Sequence, residues 1–187
     1  MVTKRDQINH KRVIPSGGYF LKEILDLIKY SCIDEIYLTG FVDTDNAGVT
    51  EFTALMRYLF FEFNSNLLKI ESIEQYSRLS ISQTKSVQLD IDLEDVIPAK
   101  SRISNIIFNN PLIDNKVAEI EFYNLQVNNL NEILCDALKI TLQNKQEIFL
   151  DPSFLGINIG PSEVEKLWRD NQADDYVDTP TRINFET

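Results

Sequence analysis

The chain is short of the residues that most enzymes and metal sites depend on. Among 187 residues there is one histidine, His10, and there are two cysteines, Cys32 and Cys135. A general base must be held within hydrogen-bond reach of its nucleophile, and His10 lies in a charged N-terminal stretch that would hold it badly. This argues against a His-based triad. Two widely separated cysteines have neither the spacing of a zinc site nor the number for a disulfide framework, so two reduced thiols are expected. Long apolar runs are missing as well. The greasiest stretch, Phe52 to Phe63, is interrupted by Arg57 and Glu62, too soon for a membrane span. No apolar segment of signal-peptide length follows the N-terminal charges, and a cytoplasmic location is expected. There is no internal repeat and no low-complexity tract.

Positive charge is the other deficit. The chain carries 18 Lys and Arg against 29 Asp and Glu, for a formal charge of −11. A nucleic-acid binder needs a basic face to displace counterions from phosphate. Only the arm from Lys4 to Arg12 offers one, and it reads as a solvated terminus. What is present is enough apolar material, 43% of residues with 11 Phe, for one core in one domain. The expected organisation is a charged arm over residues 1–15, one domain over 16–169 and an acidic tail over 170–187.

The acid excess is concentrated in Val87 to Asp95, where Leu89, Ile91 and Leu93 alternate with Asp90, Asp92 and Glu94. On a strand this pattern puts three carboxylates on one face and the apolar residues on the other. Same-face neighbours on one strand stand roughly 7 Å apart, too far for two of them to share one metal ion unaided. A solvated face, an edge guarded by charge and a docking surface for a basic partner all fit the pattern.

Spacing along the chain predicts a helix over Tyr19 to Tyr30, with Leu21, Ile24, Leu25 and Ile28 on one face, then a strand over Glu35 to Thr39 and a polar loop over Gly40 to Gly48. Phe52, Leu55, Met56, Leu59, Phe60 and Phe63 follow a helical series, with Thr50 as N-cap and Asn64-Ser65-Asn66 as the end. Strands are expected around Leu79 and Ile81, over Val87 to Leu93, Arg102 to Phe108, Glu119 to Tyr123 and Glu147 to Leu150. A third helix is expected from Leu130 to Leu142, with Asn129 and Glu132 as a capping box. Ser162 and Glu165 repeat that pattern at the start of a last helix carrying Val164, Leu167 and Trp168. The resulting expectation is an α+β fold: a mostly antiparallel sheet of about five strands with three to four packed helices.

Asp43 and Asp45 form the most enzyme-like motif, two acids one residue apart after a predicted strand. Such a pair can hold Mg²⁺ or act as nucleophile and acid in phosphoryl transfer. Haloacid-dehalogenase-type phosphatases carry Asp-x-Asp-x-Thr there, but Ala47 stands in the place of the Thr. An EF-hand loop would need a Glu where Ala54 stands. A polar turn accounts for the same residues. Ser16-Gly17-Gly18 ahead of a helix lacks the phosphate-loop pattern and reads as a helix start.

The expected function is therefore binding. A compact acidic chain is suited to neutralise a basic protein partner, and in this character it resembles immunity proteins, the antitoxins that occlude the active site of a nuclease toxin. Asp90, Asp92, Glu94 and Asp95 are the expected contacts, with Asp174, Asp175 and Tyr176 as further ones. No catalytic residue, metal or cofactor is expected, nor a nucleic-acid or membrane partner. The alternatives are a Mg²⁺-dependent phosphoryl-transfer enzyme using Asp43 and Asp45, and a scaffold component.

Overall fold

Two-residue alternation governs the most aromatic stretch of the chain. In the computed structural model, which describes residues 17–44, 48–87, 97–128, 132–153, 155–173 and 180–185, Thr50–Phe63 is one long strand. Leu59, Phe61 and Phe63 point into the main core, while Tyr58 and Phe60 form a second cluster with Leu67 on the opposite face. A strand buried on both sides reads as an unbroken apolar run, so helical spacing is satisfied by accident. Asn64 and Ser65 both have positive φ (47° and 64°) and make a two-residue hairpin turn into the next strand. The expected helix and its Asn64-Ser65-Asn66 stop are thus a strand and a tight turn.

In chain order the elements are α1 (Gly17–Lys29), β1 (Glu35–Thr44), β2 (Thr50–Phe63), β3 (Asn66–Ile73), β4 (Arg78–Thr84), β5 (Ile97–Arg102), α2 (Ser104–Ile107), β6 (Val117–Tyr123), β7 (Gln126–Val127), β8 (Ile133–Cys135), β9 (Ala137–Leu142), β10 (Glu147–Ser153), β11 (Gly156–Gly160), α3 (Ser162–Asp170) and β12 (Pro180–Asn184). They form an antiparallel seven-stranded sheet, β5-β1-β2-β3-β4-β8-β7, and an antiparallel five-stranded sheet, β11-β10-β9-β6-β12. Ile36, Phe61 and Ile70 of the first meet Ile120, Leu138 and Leu150 of the second in one core. The architecture is mostly β, which corrects the α+β expectation of about five strands and three to four helices.

Two further elements differ from expectation, each for its own physical reason. The expected third helix is β8 and β9, and the chain changes sheets between them at Asp136, whose N–H donates to the Tyr123 carbonyl at 2.8 Å. Inward residues run Ile133, Cys135, then Leu138, Ile140, Leu142. Of the residues behind the helical expectation, Ile133, Leu138 and Leu142 thus face the main core and Ala137 the smaller cluster on the outer face. The strand expected over Arg102 to Phe108 stops at Arg102 and gives way to the single turn of α2, where the Ser104 hydroxyl accepts the Ile36 N–H at 2.7 Å and donates to Glu35 at 2.5 Å.

Both terminal helices stand where spacing places them, but Leu167, expected on the packed face of the last one, is exposed. Phe20, Ile24 and Ile28 of α1 enter the main core, and Trp168 of α3 enters a smaller one with Tyr123, Ala137 and Phe149. The expected capping box of α3 does not form: no side chain caps the helix, and Glu165 is committed elsewhere. The region expected as an acidic tail contains a strand, β12, paired to β6. Arg182 meets Glu121 at 2.9 Å, and Phe185 is buried in the core. Among the described residues no helix is long and apolar enough to cross a membrane.

Where the β1–β2 register shifts, between Ala54 and Leu59, the backbone of β2 presses against β11. Gly156 has φ +127°, and a Cβ there would collide with the backbone of Met56. Gly156→Ala is expected to lower unfolding stability by roughly 3 kcal/mol, combining overpacking with backbone strain. A chemical-denaturation midpoint equal to that of the unaltered chain would refute this.

Candidate functional site

Charged and aromatic side chains are organised most densely on the outer face of the five-stranded sheet, beneath α3. Register aligns Phe149, Lys139, Glu121 and Arg182 across four neighbouring strands. Trp168 lies over this face, its ring 5.0 Å from that of Tyr123 and 5.5 Å from that of Phe149. The Lys139 ammonium bridges Glu147 at 3.1 Å and Glu165 at 3.0 Å. Glu165 also accepts the Tyr123 hydroxyl at 3.1 Å and Arg169 at 2.9 Å.

Burial alone would push the Glu165 carboxyl up, but bonds from Arg169 and Lys139 outweigh it and hold the group below its ordinary range. For Lys139 burial likewise opposes the charge, and Glu165 with Glu147 raises its pKa on balance. Burial first, and the Glu165 charge second, raise the Tyr123 phenol, which stays protonated at neutral pH. Each charge in the set is matched by another, so the arrangement fastens α3 to the sheet.

Beside it a cleft of about 530 Å³ runs between α2 and the β10–β11 edge, with Ile106, Ile159, Pro161 and Ser162 among its walls. The Gln146 amide spans its floor, donating to the Ile107 carbonyl at 2.6 Å and accepting the Asn109 N–H at 2.9 Å. The Ser162 hydroxyl meets the Glu163 carboxylate at 3.5 Å, a contact too long to activate it.

A third feature projects from the first sheet. β1 does not end at Thr39 but runs on to Thr44, so the expected polar loop is in large part strand. β5 pairs with it on one side and the exposed start of β2 on the other. One face of this three-stranded arm is an unbroken apolar array. Phe52, Val42 and Ile97 are register partners, as are Ala54, Gly40 and Ala99. The Phe52 ring lies over Gly40, where a Cβ would come within 2.8 Å of it. Phe52 is 40% exposed and Ile97 69% exposed. On the other face Asp43 and Glu51 are direct cross-strand partners, both exposed, an unfavourable like-charge pairing.

Of the acids expected to make contacts, Asp90, Asp92, Glu94 and Asp95 lie outside the described residues, as do Asp174, Asp175 and Tyr176. Asp45 and His10 lie outside them too. Asp43 is placed at the end of β1, where its carboxylate accepts the Thr44 N–H at 2.8 Å. Gly17 and Gly18 open α1. Both cysteines are free thiols; Cys135 is buried and Cys32 half-buried. Burial raises both thiol pKa values, which suppresses the thiolate. Among the described residues no three His, Cys, Asp or Glu side chains are placed to hold a metal ion. Glu51, Phe52 and Ile97 had no signal as a surface in the sequence, because their juxtaposition depends on the pairing of β2 and β5 to β1. No protein-family model, curated protein or solved structure matches the chain.

Two carboxyls, Glu165 of α3 and Asp151 of β10, should respond to pH with opposite sign. Glu165 is depressed, so its stabilisation is present above the unfolded value of about 4.3 and is lost as pH falls through the folded pKa. Glu165→Gln is therefore expected to lower stability by about 2 kcal/mol at pH 7 and by progressively less in acid. Asp151 is raised, by burial first, with the Asn158 amide opposing at 3.1 Å. Its contribution is present below about 3.9 and is lost as pH rises through its folded pKa. Asp151→Asn should therefore raise the melting temperature at pH 7 more than at pH 4. Melting curves of both variants from pH 3 to 8 test this, and parallel pH profiles would refute it.

Proposed function

We infer that the chain is a protein-binding module for a basic partner, of the kind that immunity proteins present to nuclease toxins. The observation that carries this reading is the fate of the arginines. Arg57 meets Glu71 at 2.6 Å, Arg102 meets Glu35 at 3.0 Å, Arg169 meets Glu165 at 2.9 Å and Arg182 meets Glu121 at 2.9 Å. Arg78 lies 3.4 Å from Asp136. Every guanidinium among the described residues is thus paired with a carboxylate, and the chain as a whole keeps a formal charge of −11. Phosphate recognition favours the reverse balance, an excess of cations on the binding face. A surplus of carboxylates accelerates encounter with a cationic protein and orients it, while apolar anchors slow its release.

The acids of the 90–95 segment are included in the proposal on sequence grounds. Association with a basic partner should weaken steeply between 50 and 500 mM salt as the charges are screened. Asp90→Asn with Asp92→Asn should lower the association rate by about threefold to tenfold and leave dissociation nearly unchanged. Surface plasmon resonance on the immobilised full chain measures both rates. Affinity independent of salt would overturn the reading.

A further inference from the structure

The projecting arm has two open edges, and they differ in chemistry. The β5 edge carries Pro98, which has no N–H to offer, followed by Lys100 and Arg102. Proline and cations are the features by which sheet edges avoid further pairing. β2 pairs with β3 only from Tyr58 onward, and Gly156 stands against Met56. Among the described residues Thr50 to Leu55 therefore has no paired strand on the β3 side, while Thr50 to Ala54 pair with β1 on the other. This stretch has no proline, no lysine and no arginine. Its residues alternate between the arm's two faces. Phe52 and Ala54 belong to the apolar face, and Glu51 faces the other way beside Asp43.

We propose that the Thr50–Leu55 edge of β2 receives an extended segment of a protein partner as an added strand, one in which basic and apolar residues alternate. Main-chain hydrogen bonds to a free edge supply affinity, and side chains at alternate positions supply specificity. An added strand sets its side chains beside those of β2 on both faces. Its apolar residues would extend the Phe52–Val42–Ile97 array, and its lysines or arginines would stand beside Glu51 and relieve the repulsion between Glu51 and Asp43. The charge pattern selects this edge over that of β5, where Pro98 offers no N–H and Lys100 would repel the same segment. A second copy of the chain is disfavoured, because each copy carries −11.

This inference rests on the reading of the chain as a binder of basic proteins and adds the place and the form of the contact. The test uses the full chain and two ten-residue probe peptides, one alternating lysine with valine and one alternating glutamate with valine. The lysine peptide is expected to bind at least about tenfold more tightly and to slow amide hydrogen exchange at alternate positions of residues 50–55. Glu51→Lys and Phe52→Ser, each checked for an unchanged melting curve, are expected to weaken it by about fivefold or more. Equal affinity for the two peptides, or binding without slowed exchange in residues 50–55, would overturn the proposal. So would a mass in sedimentation that doubles at micromolar concentration in the unaltered chain and not in Phe52→Ser. A basic protein bound equally by the unaltered chain and both variants would overturn the edge assignment and leave the binding reading standing. Basic proteins bound without any salt dependence would remove that reading itself.

Discussion

Burial of β2 on both of its faces is the constraint on which the rest of the molecule depends. Leu59, Phe61 and Phe63 close the main core from one side, and Tyr58 and Phe60 seed a second cluster on the other. For its C-terminal half β1 and β3 supply the neighbours on both edges, the five-stranded sheet covers one face, and Tyr37 and Val87 pack with the cluster on the other. Its N-terminal half lies beyond that cover. The pairing with β1 shifts between Leu38 and Gly40, and past that irregularity β2 continues as part of the arm. The most buried and the most exposed parts of the sheet are therefore consecutive on one strand.

Charge is distributed by a similar division. Where the five-stranded sheet meets α3, Lys139, Glu165, Arg169 and Tyr123 saturate one another. A network of this kind holds elements in place and has little left for a ligand. On the first sheet the Tyr37 hydroxyl donates to Glu62 at 2.8 Å, and burial together with that carboxylate pushes its phenol up to about 12. Lys100 lies 4.1 Å from the centre of the same ring. The arm departs from this economy: Asp43 and Glu51 face each other across two strands in water. Internal pairing thus marks the scaffold, and unrelieved like charge marks the part directed outward.

Legibility in the sequence followed the kind of interaction that stabilises each element. α1 and α3 were readable because each buries a single stripe on one face, so their apolar residues keep a 3.6-residue period whatever they pack against. β1, β4, β6 and β10 were readable because they alternate or are short and apolar between turn residues. β2 was misread because both faces are buried, and β8–β9 because the change of sheet at Asp136 breaks the alternation. The absence of a side-chain cap on α3 shows the same limit in miniature. Ser162 and Glu165 have the spacing of a capping box, but Lys139 and Arg169 claim the carboxylate.

By itself the sequence determined the charge balance, the scarcity of imidazole and thiol, the two amphipathic helices and the abundance of aromatic side chains for a core, because these are properties of residue type and local period. Only the tertiary structure decided that the aromatic run is a strand, that two sheets share the core, and that Phe52, Val42 and Ile97 lie side by side with Glu51 on the reverse face. Those outcomes depend on which strands pair and in what register. Register is set by long-range burial and by turns such as Asn64-Ser65, neither of which leaves a periodic mark on the chain.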